Sequence, residues 1–340
     1  MKRLLVLLAA TAAMTAVAAK AKVAAPKRKA PPSISAKAVK DPVESRYRKS
    51  PYVGAIALDA ASSNVVFEVN ADQPAYPASV TKLMTALLVL EDVDAGKYSL
   101  DDKVIATADV YRSEPSWIGL KVGDQMSVGD LLTALMVESA NDAAIALAVN
   151  SAGSLEAFTA RMNERSLALG MKQTTYYNPN GLPPKGKKYP WKSFNVTTAR
   201  DQSKLALALV SRPDIFRFTS VKTCDLVKTV KGFRVSVTRR ANGGEAAETE
   251  IGADEKLVTS MKNHNNIMRT DKLKIVNADG REAVDGLKTG YIDAGGSSII
   301  LTGVKNGKRA IVVVLGSMSS EMRDTEARKL LLDALASSCL

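Results

Sequence analysis

Two apolar runs near the end of the chain read SSIILTGV, residues 297–304, and KRAIVVVL, residues 308–315. The link between them contains Asn306-Gly307, a dipeptide typical of the two-residue turn between antiparallel strands. The runs therefore predict a β-hairpin, and Gly286–Ile292 predicts a further strand just before it. Glu321–Ser337 predicts a closing helix.

Strand-like residues also occur far earlier, in Tyr52–Asp59 and Asn64–Val69, which a short Ala-Ala-Ser-Ser turn joins. Helical patterns lie between the two strand-rich ends. The first, Ser79–Asp92, is apolar on nearly every face, which is typical of a buried helix. Together they predict an α+β fold, an antiparallel sheet built from both chain ends with a helical lobe, about 79–211, inserted between them. The other helical patterns cover residues 128–138, 142–150, 154–169 and 198–211.

The region after residue 220 changes to strand patterns, in Ser220–Val230, Phe233–Arg239 and Lys256–Met261. The stretch 240–255 within it is rich in glycine and acidic residues. That composition predicts a mobile loop.

The composition of the 340 residues excludes several kinds of chemistry. One histidine, His264, and two cysteines, Cys224 and Cys339, cannot form a Cys/His zinc cluster or a disulfide framework. The formal net charge is +12, but ten basic and two acidic side chains lie in residues 20–50. The charge thus belongs to a tail, so we do not expect nucleic-acid binding by the folded part.

The first 18 residues combine a basic start, an apolar run and a small-residue Ala16-Val17-Ala18 site, which is typical of a secretory signal peptide. They predict an exported protein, periplasmic or extracellular; the alternative is an uncleaved N-terminal segment that tethers it. Residues 19–50, rich in Lys, Ala and Pro, predict an extended linker. Contact of this basic tail with anionic membrane or wall polymer is the alternative.

Ser79-Val80-Thr81-Lys82 places a serine at a helix N-terminus and a lysine one turn later, on the same face. A serine hydroxyl needs a base to become a good nucleophile, and a neutral lysine can serve. Burial and a nearby cation would lower the lysine pKa towards neutrality. Taken alone, the motif is a weak signal, and a capping serine with a lysine that extends to the surface explains it better.

Two further motifs make the pattern specific. Ser139-Ala140-Asn141 lies between two predicted helices, and Lys288-Thr289-Gly290 lies on a predicted strand. Each triplet is common by itself. The three in this order, on helix, loop and strand, resemble the penicillin-recognising serine D,D-peptidases, and among them the low-molecular-mass D-alanyl-D-alanine carboxypeptidases of the peptidase S11 type. The resemblance covers roughly residues 52–338, including 76–86, 119–123, 139–144, 197–201 and 285–290.

The resemblance implies a role for each motif residue. Ser79 would attack the carbonyl between two terminal D-alanines, Lys82 would act as general base, and Ser139 would relay a proton to the leaving amine. Asn141 would hold the substrate amide and Lys82. The substrate carboxylate would be bound at Lys288-Thr289-Gly290, and the backbone N–H groups of Ser79 and Tyr291 would form the oxyanion hole.

The resemblance also implies the partners. Arg323 matches an arginine that helps to bind the terminal carboxylate, and its alternative is a surface residue at the start of the last helix. We expect peptidoglycan stem peptides ending in D-Ala-D-Ala as substrates, β-lactams as covalent inhibitors, and no metal or cofactor. Residues 51–340 would form the D,D-peptidase catalytic domain, without the C-terminal β-domain or anchor helix found in other carboxypeptidases of the family.

The sequence departs from the family pattern in places. Ile292 stands where a polar residue is expected, and the stretches 240–255 and 271–283 look like insertions beside the strand that lines the site. His264 has no acid nearby in sequence to orient it, so we interpret it as structural. Cys224 and Cys339 are expected to be free, although a bridge between them stays open.

Three other functions compete with the carboxypeptidase. A D,D-endopeptidase that cuts peptidoglycan cross-links would use the same site. A β-lactamase would need a glutamate that holds a water, and no Glu-x-x-Leu-Asn follows Asn141. A non-catalytic wall-binding module is disfavoured by the complete set of motif residues.

Overall fold

The core of the molecule is a five-stranded antiparallel sheet in the order β2-β1-β11-β10-β9. The computed structural model describes residues 49–110, 115–183, 193–230, 233–239, 245–251 and 254–337. The sheet takes β1 and β2 from the beginning of this region and the other three strands from its end, as the sequence predicted. The strands are β1 Gly54–Asp59, β2 Val65–Val69, β9 Val284–Ile292, β10 Gly296–Lys305 and β11 Lys308–Ser317.

Both faces of this sheet are covered. Ile311 and Val313 belong to a cluster with the central helices, whereas Val312 and Val314 pack with the last helix on the opposite face. A strand that is buried on both faces needs apolar residues at every position rather than at alternate ones. This requirement explains the unbroken apolar run of β11.

The helices lie on either side of the sheet. The first, α1, is preceded by a 3-10 turn at Ala78–Thr81, and its middle is buried throughout, as its all-round apolar pattern predicted. Several helices begin at a serine or threonine whose side chain accepts a backbone N–H, as Ser127, Thr198 and Ser319 do. The helices are α1 Lys82–Asp94, α2 Val128–Val137, α3 Asn141–Ala152, α4 Leu155–Ala168, α5 Ala199–Val210, α6 Phe216–Thr219, α7 Asn266–Arg269 and α8 Ser320–Ala336.

A second sheet, in the order β3-β4-β5-β8, flanks the helical lobe, and β6 and β7 form a separate antiparallel pair. The expected mobile loop at 240–255 is wrong for Glu245–Ile251, because this segment pairs along its whole length with Phe233–Arg239. The strands are β3 Lys103–Ile105, β4 Gln125–Ser127, β5 Thr223–Val230, β6 Phe233–Arg239, β7 Glu245–Ile251 and β8 Glu255–Lys262.

The predicted α+β arrangement is confirmed. The predicted signal peptide at 1–18, most of the linker at 19–50, and Cys339 lie outside the described residues. Within the described part, no single helix is long and apolar enough to cross a membrane, although α3 and α4, bent by 86°, pass that test as a pair.

Candidate active site

Ser79 lies in the 3-10 turn that leads into α1, pressed between two other segments. A Cβ on Gly290 of β9 would lie 2.7 Å from the carbonyl oxygen of Pro77 and 3.0 Å from the backbone nitrogen of Ser79. A Cβ on Gly181, whose φ is +83°, would overlap the carbonyl of Ala78 at 1.8 Å. Glycine at both positions lets backbone approach backbone and fixes the turn.

The Lys82 side chain is completely buried below this turn, and its ammonium nitrogen contacts three oxygens. Lys82 Nζ lies 2.8 Å from Ser79 Oγ, 2.7 Å from Asn141 Oδ1 and 2.8 Å from the carbonyl oxygen of Asn180. The structure thus joins the predicted nucleophile, the predicted base and the predicted Asn141 in one hydrogen-bonded group.

The hydrogen-bonding capacity of the three oxygens determines where the lone pair of a neutral Lys82 points. A charged ammonium donates three hydrogen bonds, whereas a neutral amine donates two and has one lone pair. The side-chain oxygen of Asn141 and the carbonyl of Asn180 can only accept. In the neutral state the lone pair of Lys82 must therefore face Ser79, whose hydroxyl alone has a proton to give.

The electrostatic surroundings favour that neutral state. Burial holds the pKa of Lys82 well below its usual value, and the charge of Lys288 lowers it further, with Asp142 opposing them. Asp142 is buried as well, and its carboxylate accepts the backbone N–H groups of Ile118 and Leu120. Burial is the main cause of the raised pKa of Asp142.

Ser139 lies in the tight connection between α2 and α3, and Asn141 is the first residue of α3. Ser139 is buried and adopts a left-handed backbone conformation with φ of +61°, which costs a non-glycine residue energy and is found mainly at functional sites. The backbone N–H of Asn141 donates to the carbonyl of Ser116 at 2.7 Å. This contact fixes the position from which Asn141 reaches Lys82.

Lys288 is a second buried ammonium, on β9. Its Nζ donates to the carbonyl of Thr289 at 3.0 Å. The pKa of Lys288 is lowered to about 7, mainly by burial and then by the charge of Arg323, while Glu138 opposes both. Lys288 also lowers the pKa of Lys82, and Arg323 lowers that of Lys288, so the predicted base and the two predicted cations share one electrostatic environment.

Arg323 is not the surface residue that the alternative interpretation expected. It lies in the first turn of α8 and is buried, with its guanidinium 2.7 Å from Asp324 Oδ1. A substrate carboxylate would therefore meet an arginine that already has one carboxylate partner.

The remaining predicted residues on and after β9 differ in exposure. Thr289 is buried, whereas Tyr291 is largely exposed and donates its hydroxyl to Asp293 at 2.8 Å. Ile292, the departure from the family pattern, is buried against Tyr76 and Ala78. This apolar contact ties the end of β9 to the segment that carries Ser79.

The loop 177–182 was missed by the sequence interpretation. Asn178 Oδ1 accepts the backbone N–H groups of Asn180 and Gly181, and this turn presents the Asn180 carbonyl to Lys82. Asn195 donates both to the Asn178 carbonyl and to Thr81 Oγ1. The Asn-Pro and Asn-Gly dipeptides signal a turn here, but not that it closes over a lysine.

His264 lies near the same cations but is a poor base. Its Nε2 is 3.8 Å from Glu138 Oε1. Burial, followed by the charge of Lys288, lowers the pKa of His264 to about 4. The residue is therefore neutral at pH 7, and the contact with Glu138 is not an ion pair. Among the described residues, no three His, Cys, Asp or Glu side chains gather as a metal ion would require.

This site, a serine beside a buried lysine with a Lys-Thr-Gly strand closing over them, defines a class of α+β proteins with a serine–lysine pair in place of a serine–histidine pair. The profile of the S11 peptidases, described as D-alanyl-D-alanine carboxypeptidases, matches residues 49–239. The chain therefore belongs to this family.

Individual relatives agree with the family profile. The D-alanyl-D-alanine carboxypeptidase DacC of Escherichia coli is 31% identical over 282 residues, which are 81% of this chain and 59% of that protein. The D-alanyl-D-alanine endopeptidase of Pseudomonas aeruginosa is 36% identical over 155 residues, 45% of this chain and 46% of that protein. The chain spans about 60% of the length of the first curated relatives that it matches.

A solved structure agrees as well. Penicillin-binding protein D2 of Listeria monocytogenes, in its ampicillin-bound form, aligns with a TM-score of 0.61 and 27% identity. The alignment covers 84% of this chain and 97% of that one.

Proposed function

We propose that this protein is a serine-type D-Ala-D-Ala carboxypeptidase, which removes the terminal D-alanine from peptidoglycan stem peptides. The observation that carries the proposal is the hydrogen bond between Ser79 and Lys82. The two other partners of Lys82 can only accept hydrogen bonds, so a neutral Lys82 must take its proton from Ser79. The ampicillin-bound relative supports β-lactams as covalent inhibitors.

The proposed reaction follows from this geometry. Lys82 takes the proton of Ser79 as Ser79 Oγ attacks the carbonyl between the two D-alanines. The backbone N–H groups of Ser79 and Tyr291 stabilise the oxyanion. Ser139 passes a proton to the amine of the leaving D-alanine, and water then hydrolyses the acyl-enzyme.

The substrate carboxylate accounts for the second group of residues. A D-Ala-D-Ala end is anionic, and Lys288, Thr289 and Arg323 supply two cations and a hydroxyl donor. Asn141 has its side-chain nitrogen left for the substrate amide, because its oxygen accepts from Lys82. Gly290 provides the space in which β9 approaches Ser79.

The test is an intact-mass measurement before and after benzylpenicillin, together with an assay for released D-alanine. We expect a stable mass increase of one penicilloyl group in the wild type and none in Ser79→Ala. Rapid turnover of benzylpenicillin would indicate a β-lactamase instead, and labelling that persists in Ser79→Ala would refute the nucleophile.

A D,D-endopeptidase is the second candidate, because the Pseudomonas relative carries that name. Isolated cross-linked muropeptides separate the two functions. Loss of cross-linked dimers without free D-alanine would indicate the endopeptidase. Either substrate lies outside the cytoplasm, which agrees with the export signal proposed for residues 1–18, and the mass of the mature protein would report its removal.

A further inference from the structure

Lys228 is a buried lysine that the proposed reaction does not use. It lies on β5 of the second sheet, and only about 10% of its side chain is exposed. Its Nζ donates to the carbonyl of Gly119 at 2.5 Å and to that of Ile118 at 3.4 Å, and it lies 3.4 Å from Asp124 Oδ2. A lysine so enclosed must have its charge compensated, and here one loop supplies all three oxygens.

That loop, residues 116–124, is held from its other side by the start of α3. The Asp142 carboxylate accepts the N–H groups of Ile118 and Leu120 at 2.9–3.2 Å. Residues 118–120 are thus clamped, with N–H groups bound to α3 and carbonyls bound to β5. Neither contact belongs to a regular helix or sheet, so the side chains of Lys228 and Asp142 hold residues 118–120 in place, in addition to the backbone contacts of Gly123 and Asp124 with Ala106.

The clamped loop ends at the proposed site. The carbonyl of Ser116 accepts the backbone N–H of Asn141, and Asn141 Oδ1 accepts from Lys82. Lys228 is therefore connected to Lys82 by hydrogen bonds at both ends of a short backbone segment, residues 116–119.

We propose that Lys228 is a positioning residue that fixes the 116–124 loop and, through it, Asn141 and Lys82. The inference rests on the proposed acylation of Ser79. It assigns to the second sheet a part in setting the geometry of a site that it does not itself line.

The variant Lys228→Met keeps the length of the side chain and removes the donor. We expect the second-order rate of acylation by a fluorescent penicillin to fall about tenfold, since small displacements of a reacting group cost that much or more. Lys222→Met is the matched control. Lys222 lies just before the same strand but is more exposed and pairs with Glu282, so this variant keeps the wild-type rate.

A double-mutant cycle separates positioning from general destabilisation. If Lys228 acts through Asn141, Lys228→Met lowers the rate less than about twofold in an Asn141→Ala background, because the two changes remove one pathway. An unchanged rate in Lys228→Met, or the same tenfold loss in both backgrounds, contradicts the proposal. Should Lys228→Met fail to fold, Lys228→Gln keeps an N–H donor but loses the charge and the reach to all three oxygens, so we expect a smaller fall in rate, and an unchanged rate contradicts the proposal.

Amide hydrogen exchange tests the inference independently of activity. Lys228→Met should raise exchange at Ile118, Leu120 and Asn141 together and leave α1 unchanged, and unaltered protection at these amides overturns the proposal. If the wild type did not react with penicillin, the proposed function would fail while this measurement still decided the role of Lys228.

Discussion

The two buried lysines of the site, Lys82 and Lys288, have opposite surroundings. Lys82 has an oxygen for each of its three N–H groups. Lys288, among the described residues, donates one hydrogen bond, to its neighbour Thr289. The nitrogen of Lys82 is surrounded by protein oxygens, whereas Lys288 has donors left for a ligand.

This difference indicates two tasks for one residue type. A base must be held in one orientation and needs a lowered pKa, which Lys82 has through burial and through Lys288. A carboxylate-binding cation must stay charged until the substrate arrives. The following predictions test this division.

The largest effect is expected for Lys82→Met, which removes the base but keeps the apolar stem. Acylation of Ser79 should fall at least about 10³-fold, in the range of general-base contributions. Stability should fall as well, because the Asn180 carbonyl and Asn141 lose a buried donor. Stopped-flow labelling and thermal unfolding measure the two effects, and a labelling rate near that of the wild type would exclude Lys82 as the base.

The next effect is a pH dependence that belongs to Lys288. With a pKa of about 7, Lys288 loses its proton as the pH rises through neutrality. KM for a D-Ala-D-Ala peptide should therefore rise about tenfold between pH 6 and pH 8, because the charged fraction falls about tenfold. A peptide amidated at its C-terminus is the control and should show no such rise; an identical rise would assign the titration to another group.

A smaller effect is expected on the free energy of unfolding. Lys82→Met should lower it, whereas Lys288→Met should raise it. Lys288→Met should stabilise the fold by about 1 kcal/mol at pH 7, because it removes a buried cation with few partners. The pKa of Lys288 is depressed in the folded state, so the unfolded state binds the extra proton between pH 7 and 10.5. Its contribution to stability thus rises with pH over that window.

Denaturant titrations at pH 7 and pH 10 check this. The pH-dependent increment should be smaller in Lys288→Met than in the wild type. A variant that is less stable at both pH values would show that Lys288 has protein partners equivalent to those of Lys82.

The smallest effect is expected for His264→Gln. His264, with its pKa lowered to about 4, is already neutral at pH 7. The substitution should change the acylation rate less than about twofold, which is within the usual range for surface changes. If His264→Gln changed the pH dependence of the acylation rate between pH 5 and pH 8, His264 would take part in the reaction.

The sequence predicted what short-range patterns encode. The apolar run of β11, the Asn306-Gly307 turn and the all-apolar α1 each predicted an element that the structure contains. The strand Glu245–Ile251 was missed because its sequence, EAAETEI, consists mostly of Glu and Ala, which are depleted in strands, and its pairing with β6 determines its conformation.

The motif residues of the site could be predicted from the sequence, but the residues that hold them in position could not. Ser79, Lys82 and Asn141 occur in recognisable triplets, and the structure brings them within hydrogen-bonding distance. The Asn180 carbonyl and the Lys228 ammonium act through contacts between residues 98 and 109 positions apart. No local pattern encodes such contacts, because they depend on how the completed lobes meet.

The central sheet combines strands from the two ends of the described chain, so the order of synthesis determines when the site can be completed. Ser79 and Lys82 are synthesised early, whereas β9 pairs in the folded protein with β10, which pairs with β11, which in turn pairs with β1. A nascent chain therefore has Ser79 without the strand that closes over it. The proposed acylation of Ser79 requires that nearly all of residues 54–317 have been synthesised and folded.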